Sequence, residues 1–227
     1  MSAKQTQPIV IKQEHLSEAH EMWKNLPGWY ITDQVLAMAQ ENFSSNTSRD
    51  CVLLKVVLLD GLYATNVRFH GLDTVVAHVV AVFERKPHLA GRQVVQELAG
   101  VQVKDKQVNL VSFASKYVHF FHDSSVPLAD QYAALALTRH FRQPNVRAGD
   151  WMKDYCLQYC AKIDELLQAS NVSSTAQELD HYLWLAGNWI TFQEQGKKAR
   201  INKELKESFK REDIAQRAKA TFGKLLK

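Results

Sequence analysis

A chain of 227 residues with 46% hydrophobic and 23% charged side chains can bury one good-sized core or fill a two-lobed body, which excludes a disordered protein. Nine glycines and five prolines are too few to punctuate an all-β chain, so long helices are the expected alternative. No run approaches the roughly 18 apolar residues of a membrane span, and residues 1–7 carry no apolar signal core, so a cytoplasmic protein with no membrane partner is expected.

The formal charge of +4 is unevenly placed. Residues 197–227 hold eleven Lys and Arg against four acids, a net of +7, leaving −3 for the rest of the chain. Such a segment either contacts phosphate backbones or is a solvated helix. Three cysteines, Cys51, Cys156 and Cys160, fit a reducing compartment rather than a disulfide framework. The i, i+4 pair Cys156 and Cys160 reads as buried small side chains rather than half of a metal site.

In chain order, the run PIVIK at residues 8–12 is the one short stretch with strand character. Helical spacing predicts a first helix over 17–26, with Leu16, Ala19 and Trp23 on one side and Pro27 and Gly28 ending it. A second starts at a Thr32 cap and carries Val35, Leu36, Met38, Ala39 and Phe43. The polar stretch 44–49 leads into CVLLKVVLLDGLY, residues 51–63, expected to be a central helix. A further helix over 74–83, started by Gly71 or Asp73, is apolar nearly all round, with a strand as the alternative that its β-branched content also suits, and His78 is expected as a core histidine.

Helices are next predicted over 92–99, 108–121 and 127–141, the last with Ser124 or Ser125 before Pro127 and with Asp130 in its first turn. Residues 143–148 read as a loop and 150–169 as a helix. Ser174 or Thr175 caps a helix with the stripe Leu179, Tyr182, Leu183, Ala186, Trp189 and Ile190. The last helix spans 202–226. The expected fold is all-α, a single two-lobed multi-helix domain with N-terminal helices at 1–50, a core at 51–196 and a basic C-terminal helix at 197–227.

Phosphate-loop, dinucleotide, nucleophile-elbow and paired-histidine zinc motifs are absent from the sequence. His119, His122 and Asp123 could offer a metal two imidazoles and a carboxylate, or form a polar helix end. The stretch SFASKYVHFFHDSSVPLADQYAALAL, residues 112–137, is the most informative. Lys116 on one helix and Asp130 at the start of the next could face one cleft. A desolvated lysine there can act as an amine nucleophile, and the aspartate can stabilise positive charge or activate water. The plainer reading makes Lys116 an exposed helix lysine and Asp130 a complement to its helix terminus, with Ser112, Ser115 and Tyr117 as packing residues. Trp184 and Trp189 read as core rather than as base-stacking rings.

This order of Lys116, Pro127 and Asp130 resembles the helix-hairpin-helix DNA glycosylase superfamily, as does LLDGLYATN at residues 58–66, which is similar to the family's central helix ending beside DNA. The pattern covers roughly residues 51–189. It implies DNA as the partner, Lys116 as nucleophile and Asp130 as electrostatic stabiliser or base. It also implies DNA contact at Tyr63, Thr65 and Asn66, while Lys197, Lys198 and Arg200 are the basic candidates for the same role. The chain departs from the pattern in having no glycine-rich turn over 110–117 and no four-cysteine iron–sulfur loop, so no cofactor is expected. The alternatives are a non-catalytic interaction protein on the same fold and a metal enzyme centred on His119 and His122.

Overall fold

The computed structural model describes residues 7–143 and 146–226. Its elements are α1 (Gln13–Lys24), α2 (Pro27–Asn42), α3 (Arg49–Tyr63), a 3₁₀ turn (Val67–His70), α4 (Leu72–Arg85) and α5 (Gly91–Ala99). A hairpin of β1 (Gly100–Val103) and β2 (Lys106–Asn109) precedes α6 (Val111–Phe121), α7 (Gln131–His140) and α8 (Ala148–Trp151). A π-helical turn (Tyr155–Cys160) then leads into α9 (Ala161–Ser170), α10 (Ala176–Gln195), α11 (Lys203–Lys210) and α12 (Glu212–Phe222). The fold is all-α apart from this hairpin among the described residues, and no helix is long and apolar enough to cross a membrane.

The chain divides into two compact units. One, the terminal unit, comprises Met1–Pro27, Asp130–Met152 and Leu157–Lys227, and the other, the middle unit, comprises Gly28–Ala129 and Lys153–Cys156.

In the terminal unit α10 is the buried axis. Thr175 starts it with a reciprocal capping box, its hydroxyl accepting from the Glu178 N–H at 3.1 Å while Glu178 accepts from the Thr175 N–H at 2.8 Å. From His181 to Thr191 every residue is buried, and the helix packs against α1, α7, α11 and α12. Trp184 and Trp189 are core residues there. The crossing of α7 and α10 requires Gly187, because a Cβ at that position would lie 2.0 Å from the Tyr132 carbonyl oxygen. On α1, Trp23 lies flat against the buried His181 ring at 4.1 Å, and His181 Nδ1 meets His20 Nδ1 at 3.1 Å.

The middle unit is built on α3, α4, α5 and α6, each packed on the next, with α6 returning onto α3. The hairpin pairs Gly100 with Asn109 and Val103 with Lys106, leaving the two-residue turn Lys104–Asp105 with Lys104 at φ 52°. A positive φ at that position suits the twist of a tight hairpin.

Several expectations are corrected by this structure. Pro27 does not end a helix but opens α2, where its missing N–H costs nothing, and Thr32 lies inside that helix, its hydroxyl donating to the Gly28 carbonyl. Residues 8–12 form no strand; they are clipped by the Ile9 N–H donating to His140 O and the Ile11 N–H to Ser170 Oγ. The strands lie instead at Gly100–Val103 and Lys106–Asn109, so the helix expected from 108 starts at Val111.

Other corrections concern faces and ends. The helix expected at 127–141 begins at Gln131, and the single helix expected over 150–169 is three pieces. Arg211 divides the last expected helix into α11 and α12. α3 is one-sided rather than central, burying Val52, Val56 and Leu59 while Leu53 and Val57 face out. α4 likewise buries one face, and His78 is a half-buried side residue whose Nε2 lies 3.1 Å from the Glu97 carbonyl. Cys160 is buried as expected, whereas Cys156 is half-buried and its thiol donates to the Arg92 carbonyl.

Two predictions follow from the terminal unit. Gly187→Ala forces backbone against backbone and should lower unfolding stability by at least about 2 kcal/mol, read as a drop in denaturant midpoint with an unchanged slope. His140 is fully buried between Ile9 O, which accepts from its Nδ1, and the Tyr182 hydroxyl at 3.3 Å from Nε2; burial pushes its pKa down to about 4. The unfolded chain binds this proton near pH 6.5, so stability from the neutral ring is complete above that pH and is lost as the pH falls towards 4, by up to about 3 kcal/mol. Chemical denaturation of wild type and His140→Gln at pH 7 and pH 4.5 should show the gap between them narrowing on acidification.

Candidate nucleic-acid interface

α6 is apolar nearly all round, which buries Val111, Phe113, Ala114, Tyr117, Val118 and Phe121 and carries three polar residues inward with them. Those three, Ser115, Lys116 and His119, all serve one stretch of backbone. The stretch 126–129 is buried yet belongs to no helix or strand, so its peptide groups need partners from elsewhere. Ser115 Oγ accepts from the Ala129 N–H at 2.9 Å, Lys116 Nζ donates to Ala129 O at 3.3 Å, and His119 Nδ1 lies 2.9 Å from Val126 O. Tyr155, from the π turn, donates its hydroxyl to Pro127 O.

Lys116 is therefore not an exposed helix lysine. It is 4% exposed, and besides the Ala129 carbonyl its amine reaches Ser112 Oγ at 3.1 Å, one turn back, and the face of the Tyr63 ring at 5.7 Å. Every one of these partners is electrically neutral. Tyr63 is half-buried, donates its hydroxyl to Asp33 Oδ1 at 2.7 Å and packs edge-on against Trp29 and tilted against Phe120.

The chain leaving α3 is held by one buried carboxylate. Asp60 accepts from the Val67 N–H at 2.9 Å, from the Thr65 hydroxyl at 3.3 Å and from Arg68 Nε. Within this loop Ala64 (φ 48°) and Asn66 (φ 62°) adopt the left-handed region, which costs an alanine about 1 kcal/mol or more and an asparagine less. Thr65 is half-buried and Asn66 exposed.

A second network fixes the opposite side of α6. Asn46 Oδ1 accepts from Tyr117 Oη and from Lys55 Nζ, both at 2.9 Å, and Asn46 Nδ2 donates to Phe121 O. Lys55 is wholly buried; its amine also donates to Ser44 O and Ser45 O and lies 5.2 Å from the Phe121 ring centre. Burial pushes Lys55 down to about 8.

Asp130 is not in the first turn of a helix; it is the N-cap of α7, accepting from the Tyr132 and Ala133 N–H groups at 2.8 Å each. It belongs to the terminal unit, with Lys197, Lys198 and Arg200, all three exposed. Tyr132 donates its hydroxyl to the Arg200 carbonyl, so the start of α7 and the basic segment meet. The structure thus brings Lys116 to Tyr63 in one unit and Tyr132, two residues after Asp130, to Arg200 in the other.

His119 and His122 form no metal centre: no group of three or more His, Cys, Asp or Glu residues able to hold a metal occurs among the described residues. One His119 ring nitrogen faces the Val126 carbonyl, while the His122 ring stands edge-on to Phe83 at 5.1 Å. Sequence reasoning did not find Asn46, Lys55, Asp60, Trp29 or Asp33. Lys55 and Asp60 carried a signal, being charged residues in the most apolar helical stretch of the chain, which implies buried and partnered groups.

One family model, described as an N-terminal domain, matches residues 13–125. That span includes Lys116 and the Asp60-held loop and stops short of Asp130 and the basic segment. No curated protein and no solved structure matches the chain.

Asn46→Ala removes one acceptor from a buried ammonium and from a buried phenol together. It should cost about 2 to 3 kcal/mol of stability, measured by chemical denaturation, whereas Asn42→Ala, at an exposed helix end, should cost well under 1.

Proposed function

We propose that this chain binds DNA and removes a damaged base with Lys116 as the amine nucleophile. The observation that supports this most is a buried lysine whose partners are a hydroxyl, a carbonyl and an aromatic face. In the reaction the neutral amine would bond to C1′ as the glycosidic bond breaks, the base leaving with that electron pair and taking a proton. Opening of the sugar ring then gives a Schiff base that borohydride reduces. The resemblance gives Asp130 the role of electrostatic stabiliser or base.

The helix-hairpin-helix resemblance gains support from the order α5, hairpin, α6, with the two helices packed on each other and Lys116 on the second. The connecting hairpin is a β-ribbon turning at Lys104–Asp105 rather than a glycine-rich loop. In the terminal unit, Lys197, Lys198 and Arg200 supply exposed cations for phosphates.

A second reading, a nucleic-acid or protein interaction module without catalysis, is favoured by one specific fact. Lys116 and Asp130 already have structural work, the first on the Ala129 carbonyl and the second as a helix cap.

Trapping with borohydride on duplexes carrying an abasic site or a panel of damaged bases separates the readings. An adduct formed by wild type and lost in Lys116→Gln establishes the lysine chemistry; binding without any adduct or excision leaves the interaction module. For the basic segment, replacing Lys197, Lys198 and Arg200 with Ala should weaken binding across all sequences and reduce the slope of log affinity against log salt by about 2 to 3.

A further inference from the structure

We propose that the terminal unit carries a binding site for a phosphate monoester, in a cavity formed by the strap before α1, the end of α7 and the 3₁₀ turn Gly223–Leu226. Among the described residues this cavity, of about 550 Å³, is lined by Ile9, Val10, Arg142 and Lys224. That is room for a small organic molecule. Both cations are exposed, and among the described residues neither head group has a hydrogen bond or an ion pair. Their neighbours on α7 and α12 are held differently, Arg139 by Glu194 and Arg217 by Glu18.

Arg142 stands where the backbone favours glycine. The Arg142 N–H donates to Arg139 O at 3.1 Å and the Gln143 N–H to Thr138 O at 2.9 Å, a C-terminal cap that sets Arg142 at φ 53°. Glycine takes this left-handed conformation without strain, whereas any residue with a Cβ is strained there. No described contact of the guanidinium offsets that strain within the fold, so what arginine adds at this position is a cation at the cavity. The helix end does not oppose an anion through free carbonyls. Leu137 O accepts from the Phe141 N–H at 3.1 Å and His140 O from the Ile9 N–H at 2.8 Å, so the last four carbonyls of α7 are all taken.

Two cations without a counter-ion suit a dianion. A guanidinium can grip two phosphate oxygens as a fork, and an ammonium adds a point charge. Ile9 and Val10 supply an aliphatic wall with no aromatic ring on it, which suits a sugar or aliphatic body rather than a base. The wall is held in place, since Ile9 O accepts from the buried His140 ring while its N–H donates back to His140 O. This site is independent of the reading built on Lys116.

The test is titration calorimetry of the full chain with glycerol 3-phosphate, glucose 6-phosphate and glucose, beside co-sedimentation with phosphatidylcholine vesicles with and without phosphatidic acid, which shows the same phosphate on a lipid surface. Wild type should bind a monoester from at least one of these sources, and neither glucose nor plain phosphatidylcholine. Arg142→Gly and Lys224→Gln should each weaken that binding at least about tenfold. The denaturant midpoint of Arg142→Gly should be no lower than that of wild type, which separates loss of the ligand from loss of the fold. Binding of a soluble ester identifies a free metabolite, and binding to phosphatidic acid alone a lipid headgroup. No binding of any monoester, or binding that both variants keep, overturns the site, and a lower midpoint for Arg142→Gly overturns the assignment of Arg142 to a ligand.

Discussion

The stretch 126–129 is buried without a helix or a ladder to satisfy it, and the chain can take this path only because α6 supplies polar side chains at its backbone. Ser115 takes the Ala129 N–H, Lys116 gives to the Ala129 carbonyl and His119 faces the Val126 carbonyl, while Tyr155 reaches the Pro127 carbonyl. An unpaired peptide group in that position would cost about 1 to 3 kcal/mol. Pro127 lightens the demand by bringing no N–H at all. This seating delivers the chain to Asp130, whose carboxylate then opens α7. The same interactions explain why a lysine is buried in α6: its aliphatic stem suits an apolar helix, and its head satisfies a carbonyl.

That dual character sets the energetic terms for any chemistry at Lys116. An amine that leaves the Ala129 carbonyl to meet a ligand strands an acceptor, at a cost of about the size of one buried hydrogen bond. Ser115 still accepts from the Ala129 N–H, so the residue stays anchored when the amine leaves. A ligand that provides a replacement donor, or water entering behind the amine, offsets the cost.

Much of the fold was legible from helical periodicity where the pattern had a single cause. Residues 51–63, 74–83 and 92–99 predict α3, α4 and α5 to within a few residues, and the cap expected at Ser174 or Thr175 is Thr175. Proline was the residue misread, in both directions. Pro27 reads as a stop because Gly28 follows it, yet it opens α2; Pro127 reads as a start, yet it lies in the extended stretch three residues before the cap. Proline fixes φ in a range shared by helix starts and extended chain, and the choice at 127 was made by side chains of α6 distant in sequence. The hairpin was missed because Val101, Val103 and Val108 alternate over runs too short to stand out, and its turn lacks glycine or asparagine. Of the candidate site, Lys116 with Tyr63 was legible as a pair of regions in order; that Asp60 and Asn46 organise them was not, since a lone polar residue in a helix does not announce which backbone it satisfies.

The middle unit buries two lysines, and the contrast between them bears on which could react. Lys55 is enclosed, its amine meeting Ser44 O, Ser45 O and Asn46 Oδ1 and facing the Phe121 ring. Three oxygen acceptors match its three donors, so moving it would undo the loop at 44–46 and with it the Asn46 link to Tyr117 and Phe121. Lys116 has one backbone acceptor, one hydroxyl one turn away and a half-exposed ring. The lower proton affinity that burial gives Lys55 is therefore a by-product of a closed structural site, whereas Lys116 is held by fewer partners.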